Sequence, residues 1–238
     1  MKPLSHLRID FMGRRKLAYI VSALLLIVSI GAILIQQLNL GLDFTGGTLI
    51  EVRSEFVGSQ VGDQLRDQSG LGLLVALGVV MVYVAFRFQY KFAIGALLAL
   101  LHDVVIVVGV FALFQLDFDL TVLAAILAVI GYSLNDTIVV YDRVREAIRT
   151  SRIDDMPQIF NEAINATLSR TLATSGTTVL VLLALLLLGG DMIENFAIAL
   201  LVGIVVGTFS SIYIAAALLL PLKLSREDLI PTKKELDE

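Results

Sequence analysis

The chain has 238 residues, of which 57% are hydrophobic and only 17% charged. Soluble domains run nearer roughly 45–50% apolar and 25% charged, so one water-facing domain of this size is excluded. With no Cys, disulfides, zinc–thiolate sites and cysteine nucleophiles are excluded as well, and the net charge of −4 matters less than where the charges fall.

Residues 1–16 form a basic N-terminal segment, and residues 17–35 follow without a single charge. A signal peptide also sets a basic stretch before an apolar core. Such cores run only about 7–15 residues, however, and no small-residue cleavage site follows at Gln36-Gln37-Leu38. The run therefore predicts an uncleaved first span. A short loop, 36–70, leads into a membrane domain at 71–220, with apolar runs at 71–86, 92–114, 120–140, 171–188 and 196–220. Each can cross a hydrocarbon core of about 30 Å, with tilt making up differences. The expected fold is all-α, a bundle of six transmembrane helices.

Between the fourth and fifth spans, residues 153–168 carry apolar side chains at helical spacing (Ile153, Met156, Phe160, Ala163, Ile164, Leu168), with Asp154, Asp155, Asn161 and Glu162 between them. This pattern predicts an amphipathic helix lying along the membrane interface. In the last span, Gly203 and Gly207 sit four apart with Ser211 one turn on, a small-residue stripe that lets two helix backbones approach. Residues 221–238 form a tail.

Orientation follows from Lys and Arg. The N-terminal segment, the second-to-third and fourth-to-fifth connections and the tail hold sixteen of the eighteen basic residues, leaving Arg53 and Arg66 opposite. By the positive-inside rule the basic side is cytoplasmic, and both termini lie there. Without Trp, the interfacial anchors fall to Tyr, Lys and Arg.

Ionisable side chains inside the spans are the most informative feature. A carboxylate at mid-membrane costs about 2.5–3.5 kcal/mol on insertion scales, so it needs a partner or a wet cavity. His102 and Asp103 occupy the middle of the third span, and Asn135 and Asp136 the cytoplasmic third of the fourth. Arg170, Thr174, Thr177 and Thr178 share one face of the fifth. The fourth span runs inward and the fifth outward, so Asp136 and Arg170 lie at similar depth and can meet. Burial raises the pKa of an Asp and a nearby guanidinium lowers it. An approach and withdrawal of Arg170 would make Asp136 a proton relay, driven by about 2.3 kcal/mol per charge per 100 mV. A static ion pair fixing helix register is the other reading of the same two residues. His102 and Asp103, adjacent and so about 100° apart on a helix, need not form one site; either can serve as a helix-to-helix hydrogen bond or as a proton carrier. Two membrane aspartates also suggest an aspartyl protease, and His102, Asp103 and Ser133 a hydrolase triad. Neither has the surrounding motif, so no enzyme is expected.

Several stretches together resemble SecF, the smaller membrane subunit of the bacterial SecD–SecF complex. They are Gly41-Leu42-Asp43-Phe44-Thr45-Gly46-Gly47-Thr48, Glu55-Phe56-Val57-Gly58, Leu101-His102-Asp103, Arg170-Thr171-Leu172-Ala173-Thr174-Ser175-Gly176-Thr177-Thr178, and the long run Ile130-Gly131-Tyr132-Ser133-Leu134-Asn135-Asp136-Thr137-Ile138-Val139-Val140-Tyr141-Asp142-Arg143-Val144-Arg145-Glu146. The resemblance implies a bacterial inner-membrane protein of the RND-like superfamily. It implies partnership with SecD, the SecYEG channel and YajC, and use of the proton-motive force to draw unfolded polypeptides outward, with neither cofactor nor nucleic acid. It carries the family's proton-transport Asp onto Asp136 and that residue's Arg partner onto Arg170. Asp43, Gly46 and Gly47 fall in the outer-face signature, where a turn or docking role is expected. One departure stands out. SecF carries a folded periplasmic domain between its first two spans, whereas here Gly47 runs through Arg53-Ser54 almost directly into Glu55. This reads as an engineered deletion joined at Arg53-Ser54, since so short a loop cannot fold as a domain. A small-molecule exporter of RND type and a non-conducting scaffold for SecD are the rival readings.

Overall fold

A backbone in lipid must satisfy its own N–H and C=O groups, and a helix does so within one segment. The computed structural model describes residues 9–45, 47–50, 54–57, 59–151, 155–222 and 224. The six apolar runs become α1 (Arg15–Gln36), α3 (Ser59–Arg87), α4 (Tyr90–Phe114), α5 (Leu120–Thr150), α6 (Met156–Leu188) and α7 (Asp191–Ser210). A π-helical turn, Ser211–Ala215, carries α7 into α8 (Ala216–Leu218). All six are long and apolar enough to cross a membrane, α3 from Asp67 onward. At the acidic end, β1 (Asn39–Leu40) pairs in parallel with β4 (Asp117–Phe118), with α2 (Leu42–Thr45) following β1. There too, β2 (Gly47–Ile50) runs antiparallel to β3 (Ser54–Val57), so both flanks of the expected junction are paired strands. Arg53 and Gly46 lie outside the described residues, as do residues 153, 154 and 225–238.

Polar side chains close the helix ends. The Asp119 carboxylate accepts from the Val122 N–H at 2.9 Å, capping α5, and Asp43 accepts from the Leu120 N–H at 3.1 Å. Two carboxylates thus meet the positive end of the α5 dipole. At the end of α4, Gln115 adopts a left-handed φ of 52°. Its side-chain amide donates to the Ala112 carbonyl at 2.7 Å and to Gln37 at 3.2 Å, tying α4 to the end of α1. Gly190, with φ +77°, turns α6 into α7 where a side chain would be strained.

Helices α4, α5 and α7 are inner: 56%, 50% and 50% of their most apolar windows are buried, against 22%, 11% and 17% for α1, α3 and α6. Small residues set the close approaches. The buried positions of α1 are Ala18, Ser22, Ser29 and Ala32, and a Cβ on Gly109 of α4 would fall into Ser29. Gly203 of α7 lies equally tight against Val129 of α5, and Gly207 against Ser133, so the small-residue stripe in the last span is an α5–α7 contact. Tyr141, fully buried, seats its ring against Phe88 and Phe92 and donates its hydroxyl to the Ala215 carbonyl at 3.2 Å. That acceptor lies in the π turn, where the altered hydrogen-bond register gives a carbonyl for a side chain to use.

The amphipathic segment is not a separate interfacial helix. From Met156 it is the first half of α6, continuous with the fifth span. Its apolar residues Ile159, Phe160, Ala163 and Ile164 are buried in one cluster with Val144 and Ile148 of α5, which itself runs ten residues past Val140 to Thr150. The hydrophobic face therefore covers a neighbouring helix instead of lipid. Its asparagines hold the N-terminal arm: Asn165 accepts from the Ile9 N–H at 3.0 Å and donates to the Ile9 carbonyl at 2.8 Å, and Asn161 accepts from Met12 N–H at 2.8 Å. Hydrogen bonds from the Gly13 N–H and the Asn161 amide hold the Asp10 carboxyl below its ordinary pKa. Phe11 of the same arm packs edge-on to Tyr213, which puts both described ends of the chain at one end of the bundle.

The α5–α7 contact gives a direct check. Gly203→Leu forces overpacking and is expected to cost about 1–3 kcal/mol, lowering the melting temperature in detergent. Gly131→Leu on α5, where a Cβ meets nothing within 4 Å, should leave it near wild type.

Candidate functional site

Two buried carboxylates on neighbouring helices have different surroundings. Asp103 is held on all sides. Its Oδ2 accepts from the Ser133 hydroxyl of α5 and the Ser210 hydroxyl of α7, both at 2.7 Å, and its Oδ1 lies 3.0 Å from Nδ1 of His102. One side chain of α4 thereby joins all three inner helices. His102 and Asp103 do form one site despite their 100° offset, because the imidazole folds back to the oxygen that the serines leave open. The His102 Nε2 is buried without a partner. Ser133 donates to Asp103 and not to His102, so the three side chains lack the nucleophile-to-base contact of a hydrolase triad.

Asp136 is only half satisfied. The Thr171 hydroxyl of α6 donates to its Oδ1 at 2.8 Å, while Oδ2 is buried with no partner. A carboxylate with one buried oxygen unmatched is short of a hydrogen-bond donor, which is costly in an apolar interior. Arg170 lies one residue before Thr171, at the depth expected. Since Thr171 faces α5, its neighbour turns away by about 100°. Arg170 is exposed on the outside of the bundle, and no ion pair joins it to Asp136 among the described residues. Thr174 is exposed too and donates back to the Arg170 carbonyl at 3.1 Å, as Thr177 does to Ala173 at 2.9 Å. Asn135 also faces outward. The structure thus gathers Asp136 with Thr171 and leaves Arg170, Thr174 and Asn135 on an outer surface.

Further hydroxyls stitch the inner helices. Thr137 and Ser211 are hydrogen-bonded at 2.9 Å, and Ser211 donates to the Ser133 carbonyl at 3.3 Å. Ser175 of α6 contacts Thr208 of α7 at 2.7 Å and accepts weakly from Tyr132 of α5 at 3.5 Å. Ser210, Thr208 and Ser175 were not singled out in the sequence. The available signal was helical spacing for two of them, Ser210 three residues after Gly207 and Ser175 four after Thr171. In the outer-face signature, Asp43 caps α5 as described and Gly47 opens β2 opposite Val57.

These features define a multi-pass α-helical membrane protein with three inner helices joined through buried carboxylates and hydroxyls. Residues 41–225 match the family described as protein export membrane protein SecD/SecF, C-terminal. The protein translocase subunit SecF of Pseudomonas aeruginosa is 44% identical, the match covering 94% of each chain. The protein translocase subunit SecDF of Thermus thermophilus is 47% identical over 73% of this chain and 24% of its own length. The crystal structure of SecDF, a translocon-associated membrane protein from Thermus thermophilus, superposes with a TM-score of 0.86 at 35% identity, covering 92% of this chain and 39% of that one. The chain belongs to the SecF family of protein translocase subunits. Its alignment with the Pseudomonas relative runs over 288 positions, more than its own 238 residues, so that relative carries residues with no counterpart here.

The two carboxylates should respond differently to removal. Asp103→Leu strands the Ser133 hydroxyl and is expected to cost roughly 1–3 kcal/mol in thermal unfolding, whereas Asp103→Asn keeps an acceptor for both serines and loses less.

Proposed function

We propose that this chain pairs with SecD in the bacterial inner membrane, basic end toward the cytoplasm. There the pair works beside SecYEG and YajC and uses the proton-motive force to draw unfolded polypeptides outward. Asp136 carries the proton. The observation that supports this most is its half-satisfied state: one oxygen on Thr171, the other buried and open. Protonation removes the cost of the unpartnered charge. Entry of Arg170 or water to the same place restores ionisation. Arg170 reaches that place by rotation or sliding of α6, since Thr171 already holds the helix against Asp136.

SecD is the partner that the fused Thermus relative suggests. A second feature supports a protein neighbour on α6. Arg170, Thr174 and Thr177 form an exposed polar face on a helix of which little is buried, and an arginine turned toward lipid is unfavourable. The additional residues of the longer relatives belong between β2 and β3, where this chain passes through Arg53-Ser54. Export rather than chemistry is the role, consistent with relatives that are named as translocase subunits.

Reconstituted with SecD and the Sec channel in vesicles, Asp136→Asn should reduce proton-driven export to the level without the pair, with copurification of SecD unchanged. Normal proton coupling in that variant would favour a scaffold and remove Asp136 from the mechanism.

A further inference from the structure

At the basic end of the bundle, the last turn of α3 and the extension of α5 border an open cavity of about 290 Å³ lined by Arg87, Asp142, Arg145, Glu146, Arg149 and Thr150. Its wall carries three guanidiniums and two carboxylates. Arg87 donates to Asp142 at 3.2 and 3.4 Å, and Arg143 pairs with Glu146 at 2.6 Å, so both carboxylates are engaged. Arg145 stands between them, and its Nε is buried without a hydrogen-bond partner. Arg149 adds a third guanidinium on the same helix face, one turn beyond.

Depth and surroundings narrow what fits. Arg145 lies nine residues beyond Asp136 on α5, about 14 Å along the axis, which places it at the boundary of the hydrocarbon. Leading up to the cavity on α3 is a stripe of exposed apolar side chains, Val79, Val82, Tyr83 and Phe86, with Phe86 88% exposed just before Arg87. Tyr90, also exposed, follows at the start of α4. A cationic pocket at the interface, continuous with an apolar track into the bilayer, matches a molecule with an anionic head and acyl chains.

We propose that Arg87, Arg145 and Arg149 bind the phosphate headgroup of an anionic phospholipid, with its acyl chains along the Val79–Phe86 face of α3. Arginine forks suit phosphate oxygens, and the Arg145 Nε is a donor that no side chain of the bundle uses. The site lies apart from Asp136 and does not depend on its role.

Binding of phosphatidylglycerol to the purified full chain, followed by native mass spectrometry in detergent, tests the site, with phosphatidylcholine as the neutral comparison. Arg145→Gln should weaken phosphatidylglycerol binding roughly fivefold, the effect of about one interfacial basic residue, while Lys16→Gln, an equal loss of charge elsewhere, should not. Arg145→Lys should recover part of the affinity, and a melting curve on each variant shows that it is folded. If Arg145→Gln does not fold, the wild-type chain still decides: phosphatidylglycerol should raise its melting temperature more than phosphatidylcholine does. Equal binding of the two lipids to the wild type, or an unchanged affinity in folded Arg145→Gln, would overturn the proposal. So would displacement of the lipid by inorganic phosphate at matched concentration, which would make a soluble anion the ligand.

Discussion

A carboxylate in a lipid-bound helix bundle must find hydrogen-bond donors inside the protein, and the arrangement of the inner helices follows from how that demand is met. Asp103 meets it with two serine hydroxyls and an imidazole contributed by its own and two other helices. For Ser210 to reach it, α7 must approach closely, and Gly203 and Gly207 permit that approach against Val129 and Ser133. The small-residue stripe and the buried acid are therefore one device. Replacing either a glycine or the acid disturbs the same helix triplet.

Asp136 stands in contrast, one turn beyond Ser133 on α5. It has a single donor, and that donor belongs to α6, an outer helix that is less buried than the inner three. One acid is thus tied into the three inner helices, and the other rests against an outer one. The N-terminal arm bears on the second, because Asn161 and Asn165 fasten it to the same α6 that carries Thr171. The basic end of the molecule is thus fastened to α6 through hydrogen bonds between asparagine side chains and the backbone of the arm.

Hydropathy alone located all six spans, since each is a long run that a bilayer requires to be helical. The depth of Asp136 relative to Arg170 was legible for the same reason, from counting residues along opposed helices. Rotation was not. Whether Thr171 or Arg170 faces α5 is decided by packing across the whole helix, and one residue of offset turns a side chain from the interior to the surface. The extent of α6 escaped as well. The amphipathic pattern ending at Leu168 looks the same whether its apolar face meets headgroups or a neighbouring helix, and only the ten-residue extension of α5 settles which. The cap that Asp43 places on α5 needs a contact across 77 positions, which no local pattern encodes.

The distinction between a held acid and a free one is open to infrared difference spectroscopy of the carboxyl C=O stretch as pH is varied. A titrating carboxyl band that disappears in Asp136→Asn and persists in Asp103→Asn is the expected result. A band that survives the first substitution and vanishes with the second would assign proton exchange to Asp103 and contradict the division of roles.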